Sequence, residues 1–117
     1  MKITRLYTGP DGESHFEDID FPLKRVGDAQ EQSEVIYKAK GVVLRRTSAN
    51  MDLSWHPAPQ RQLVITLSGQ GEIEVGDGTK RRFGPGDIML ADDLTGRGHI
   101  TRAVNNQPRT SLWVTLE

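Results

Sequence analysis

Trp55-His56-Pro57-Ala58-Pro59-Gln60-Arg61-Gln62 opens a stretch that runs through an alternating segment to Gly69 and closes with Gly84-Pro85-Gly86-Asp87 and Gly96-Arg97-Gly98-His99. Short strands and tight glycine turns fill the space between its two histidines. An all-β barrel uses that arrangement to bring sequence-distant polar groups to one mouth. Gln62 to Leu67 is the most apolar strand, with Leu63, Ile65 and Leu67 on one face and Gln62, Val64 and Thr66 on the other. Glu72 to Val75 alternates again, and Gly76-Asp77-Gly78 reads as a hairpin turn into Thr79 to Phe83. Before the stretch, Met51, Leu53 and Trp55 alternate with Asp52, Ser54 and His56. Strict alternation puts His56 on the polar face and Trp55 in the core. After it, His99, Thr101 and Ala103 share one strand face.

The pattern continues outward in both directions. Lys2 to Tyr7 is β-capable, Gly9-Pro10-Asp11-Gly12 is turn chemistry, and Ser14-His15-Phe16 suits a short strand. Phe21-Pro22-Leu23 reads as an extended edge piece, and the polar run Lys24 to Ser33 as a surface loop or an arm over a neighbour. Glu34 to Ala39 and Gly41 to Thr47 read as two strands split by a tight connection at Lys38-Ala39-Lys40-Gly41. At the other end, Asn105-Asn106-Gln107-Pro108 turns the chain into a strand on which Leu112, Val114 and Leu116 alternate. No helical periodicity occurs, and turn signals recur roughly every 8–12 residues, so the fold class is all-β, a sandwich or barrel.

A chain of 117 residues is one domain by size. Residues 1–33 form an N-terminal arm of strands and 41–116 the barrel proper. Fifteen Lys and Arg against 16 Asp and Glu leave a net charge of -1, which argues against nucleic acid or an anionic membrane as partners. The pairs Arg45-Arg46 and Arg81-Arg82 read as solvated strand residues. With no cysteine, disulfides, thiolate metal sites and cysteine nucleophiles are excluded. The N-terminus lacks a signal-peptide apolar region and no run approaches the ~20 apolar residues of a membrane span, so a cytoplasmic protein is expected. No phosphate loop, dinucleotide fingerprint, GxSxG or HExxH is present, and no nucleotide cofactor is expected.

On these residues the chain resembles the small single-domain cupins from about Gly41 to Val114. His56 falls on the first histidine of the family's first motif and Gln62 on its glutamate, by spacing to Gly69. Gly84-Pro85-Gly86-Asp87 matches the proline-glycine turn, and Gly96 and His99 match the second motif. The resemblance implies a jelly roll, or double-stranded β-helix, RmlC-like in type. It also implies a metal site of three histidines and one glutamate for divalent iron, manganese, nickel or zinc. Here Ala58 replaces the second histidine, Gln62 the glutamate, Leu94 a usual proline and Ala103 a frequent asparagine. The expected shell shrinks to His56, His99 and Gln62, weakly bound or absent.

Three functions remain open from the sequence. One is a metal-assisted enzyme of dioxygenase, isomerase or lyase type, with His56, His99 and Gln62 as ligands. A second is a metal-free acid/base enzyme, resembling the cupin-fold sugar epimerases that use histidine and aspartate. There His99 is the base, Asp93 or Asp92 orients it, and Gln60, Gln62 and Arg97 hold the substrate. The third is a small-ligand-binding module without catalysis. His15 lies outside both motifs and is expected on the surface or capping a barrel mouth. A homodimer is expected, the N-terminal region supplying swapped edge strands.

Overall fold

The computed structural model describes residues 1–117. Twelve strands follow one another without a helix: β1 (Lys2–Thr8), β2 (Ser14–Asp20), β3 (Lys24–Val26), β4 (Gln30–Gln32), β5 (Ala39–Thr47), β6 (Asp52–His56), β7 (Gln62–Ser68), β8 (Gly71–Glu74), β9 (Lys80–Phe83), β10 (Ile88–Asp92), β11 (His99–Ala103) and β12 (Arg109–Leu116). Six form one sheet in the order β2-β1-β10-β7-β12-β5, four form a second in the order β6-β11-β8-β9, and β3 and β4 make a separate hairpin. Only β1 against β10 is parallel; the other pairs are antiparallel.

The two larger sheets close on a core of Leu6, Ala58, Val64, Ile73, Val75, Phe83, Met89 and Ala91, with Phe16 and Trp113 packed against it. Period-2 geometry decides which side chains enter. On β7 the inward face is Gln62, Val64 and Thr66, all buried, while Leu67 on the more apolar face is 51% exposed. A second cluster explains how that outer face is partly covered. Ile3, Leu90 and Leu116 gather Ile19, Phe21, Tyr37, Leu63, Ile88 and Val114 on the outside of the six-stranded sheet. Phe21 meets Tyr37 edge-on at 6.1 Å, so the segment around β3 and β4 is pinned over this face at both ends.

Several sequence expectations change here. The 34–38 segment is not a strand, and Lys38-Ala39-Lys40-Gly41 is not a turn; β5 runs through it as one strand paired to β12 from Ala39 to Thr47. With the whole of β12 to pair against, the chain has no cause to reverse at Gly41. Lys24 to Ser33 is not a plain loop but carries the β3–β4 hairpin, turned by Gly27 at φ 72°. Within the chain, β1 is inserted between β2 and β10.

The alternation of β6 also breaks. His56 pairs with His99 and Leu53 with Thr101, so Ser54 and Trp55 on β6 together oppose Ile100 on β11, a β-bulge. The extra residue puts Leu53 and His56 on the same, inward face. Trp55 is thereby turned outward, where the Arg97 guanidinium stacks on it at 3.9 Å. His56 therefore does not share a face with Asp52 and Ser54, and Trp55 is not a core residue.

Candidate functional site

Between the sheets lies a cavity of about 310 Å³. The sheets do not pair with each other along β5 and β6, and the mouth lies between these two edges. Val43 and Leu53, 45% and 51% exposed, flank it.

At one end of the cavity stand His99 and His56, ring centroids 4.5 Å apart. Gly98, at φ 80°, permits that approach: a β-carbon there would collide with the His56 carbonyl and Pro57 nitrogen. Each ring is fixed from behind. The His56 Nδ1–H donates to the Ser54 carbonyl at 2.7 Å, an oxygen that can only accept. His99 Nδ1 donates to Asp93 Oδ2 at 2.5 Å, and the Ser14 hydroxyl donates to the same oxygen at 2.7 Å. Asp93 is fully buried and Asp93 Oδ1 has no partner within the protein. The Asp93 carbonyl also accepts from the Ala58 amide at 2.9 Å, tying the Pro57-Ala58-Pro59 loop to the same residue. With both Nδ1 atoms engaged, the two Nε2 atoms are the nitrogens left for a ligand.

Of the two candidate aspartates, only Asp93 reaches His99. Asp92 alternates to the other side of β10 and pairs with Arg5 at 2.9 Å and Arg61 at 3.3 Å. Gln62 is buried and lines the cavity, as does exposed Gln60 near the loop. Arg97 does not line it: its guanidinium is occupied by Trp55 and by Glu13 at 3.3 Å. His15 bonds Asp11 at 2.9 Å and lies near Tyr7, away from the cavity lining.

The other end holds Arg109, which the sequence reading passed over, and Arg45, which it took as a solvated strand residue and which lines the cavity. Arg109 is buried to 7% exposure and donates to Thr66 Oγ1 through Nε at 3.2 Å and Nη2 at 2.6 Å. Burial, and then the neighbouring Arg45 charge, push its pKa below the ordinary guanidinium value. Arg45 stacks on the Trp113 ring at 3.8 Å. The available signal was the parity of β12, where Arg109, Ser111, Trp113 and Thr115 fall on one face.

The donors do not amount to the metal shell of three histidines and a carboxylate. No three His, Cys, Asp or Glu side chains converge. The cavity lining contains two imidazoles and two glutamines but no carboxylate, and it contains two arginines. A dication between the histidines meets a neutral amide in place of an anionic ligand.

Solved structures share this architecture. A conserved protein with a double-stranded beta-helix domain from Klebsiella pneumoniae aligns at 22% identity over 72% of this chain and 73% of its own, TM-score 0.52. The fold is the cupin double-stranded β-helix. A cupin-superfamily sugar phosphate isomerase from Silicibacter pomeroyi aligns with the cupin barrel at 23% identity over the whole of this chain and 71% of that one, TM-score 0.53. A Cupin 2 conserved barrel domain protein from Salinispora arenicola aligns at 16% identity over 65% of this chain, TM-score 0.52, and this chain spans 61% of it. No protein-family model matches the sequence, and no curated protein matches it. No helix of the chain is long and apolar enough to cross a membrane.

Proposed function

We propose that this cupin is a metal-free acid/base enzyme moving a proton on a small polar molecule held in the barrel, with His99 as base. The observation that carries this reading is the Asp93–His99 pair. A buried carboxylate bonded to Nδ1 holds the tautomer with its lone pair on Nε2, and it stabilises the imidazolium formed when Nε2 takes a proton. Ser14 holds the carboxylate in place. His56, with Nδ1 bonded to Ser54, offers a second Nε2 beside the first and so a second station for the proton. Gln62 and Gln60 supply neutral hydrogen bonds to hydroxyl or carbonyl groups of the substrate. Ring carbon acids of the sugar type fit this chemistry, since their epimerisation or isomerisation needs a proton removed next to a carbonyl and returned.

The test is solvent exchange. Protein in heavy water is incubated with a panel of aldoses, ketoses and their phosphates, and deuterium next to the carbonyl is followed by NMR. Exchange that persists with a chelator and is lost in His99→Gln is the expected result. Equal exchange in His99→Gln removes His99 as base. Exchange appearing only on addition of iron, manganese, nickel or zinc transfers the assignment to a metal-assisted enzyme. Saturable binding without exchange transfers it to a ligand-binding module.

A further inference from the structure

The two ends of the cavity differ in chemistry, and strand register fixes how far apart they are. His99 begins β11, and Gly71 on β8 pairs with Ala103 at its end. The Arg109 guanidinium lies over Gly71, where a β-carbon would meet its Nη1 and Cζ. Four residues of strand, about 13 Å at 3.3 Å per residue, therefore separate the histidine end from the seat of Arg109. The six-stranded sheet repeats the order. Gln62 pairs with Thr115 at the histidine end, and Ser111 pairs with Thr66 and Arg45 at the other. Thr47 pairs with Arg109 itself.

Charge at that second end is uncompensated. Asp and Glu are absent from the cavity lining, and a guanidinium on a buried residue is expensive without an anion beside it. Thr66 accepts two of the Arg109 donors, but a hydroxyl carries no charge. Arg45 adds a second positive charge to the same space, held over Trp113. Of the other arginines, Arg5, Arg61, Arg81, Arg82, Arg97 and Arg102 pair with carboxylates, and the two that do not, Arg25 and Arg46, are exposed to solvent and outside the cavity lining.

We propose that Arg45 and Arg109 form an oxyanion seat, taking the carboxylate or phosphate group of a ligand whose other end reaches the histidines. Guanidinium forks suit both groups, and an oxyanion supplies the charge that this end of the cavity lacks. The seat itself stands on the arginines alone; only the statement that the anion belongs to a substrate rests on the acid/base reading above. Trp55 and Trp113 are the two tryptophans, so Trp55→Phe leaves Trp113, under Arg45, as the reporter.

The experiment titrates the Trp55→Phe protein with sodium phosphate and sodium acetate at fixed ionic strength, with chloride as control, by Trp113 emission and by calorimetry. A saturable response to phosphate, acetate or both, absent with chloride, is expected. Phosphate alone identifies a phosphoryl group, and both together a general oxyanion. In Arg45→Gln, on an exposed strand, affinity falls about tenfold or more, the loss of one charge-assisted bond. Arg109→Lys, checked for folding by circular dichroism, weakens it further, while His99→Gln keeps it. No saturable response, or equal affinity in Arg45→Gln, overturns the seat. Retained binding in His99→Gln together with unchanged exchange activity overturns only the base assignment.

Discussion

Asp93 shows how much one residue's chemistry depends on where its neighbours stop. It follows Asp92 directly, yet one is pinned on the outside by two arginines and the other is sealed behind His99. Asp93→Asn preserves shape while replacing the acceptor with an amide that can present its NH₂ to Nδ1. That disturbs the tautomer that leaves Nε2 free. The expected outcome is a fall in kcat of about 10²–10⁴-fold with KM little changed, measured by steady-state exchange kinetics. His56, His99, Gln62 and Asp93 were legible as residues because they sit at recognisable spacings around proline and glycine turns. Arg45 and Arg109 were not, because nothing local distinguishes a solvated strand arginine from one facing a cavity. Arg97 shows the converse: a loop arginine bracketed by glycines turns outward to a tryptophan and a glutamate.

Among the elements, β7 and β6 explain why alternation located strands well and faces less well. On β7 the leucines suggest an interior, but the barrel keeps Gln62 and Thr66 inside and covers Leu63 from without. A cavity lined in part by polar side chains reverses the usual inward rule. On β6 the pattern is a true period-2 repeat, and the bulge overrides it. The 34–38 segment lacks a partner strand, which residue composition could not reveal. Gly98 is the element-scale constraint that brings β6 and β11 together. Gly98→Ala meets both a left-handed φ and the His56 backbone, and is expected to destabilise by about 1–3 kcal/mol from the conformation alone, measured by urea unfolding. Because β6 must retreat to admit the methyl group, the same variant should lose exchange activity beyond its loss of folded protein.

For the whole molecule, the six-stranded sheet is the unusual member: its outer face carries many of its apolar side chains. The chain covers one part of its outer face with Phe21 and Tyr37, but Val42, Leu44 and Leu67 stay 64%, 76% and 51% exposed. Leu44 pairs with Leu112, which pairs with Ile65, so an apolar row crosses three strands. A homodimer joined through this face is the expected assembly. Light scattering should return about twice 13.1 kDa for the native chain and the single-chain mass for Leu44→Lys. A native chain of single-chain mass removes the dimer. Since β5 also carries Val43 and Arg45 into the cavity from its other face, a partner seated there would stiffen one jamb of the mouth. The extra residue in β6 acts at the same doorway. Removing one residue between Leu53 and His56 would restore step-for-step pairing with β11 and keep both side chains facing the cavity, so the inward imidazole follows from its pairing opposite His99, and the extra residue is what this strand can lose without turning it.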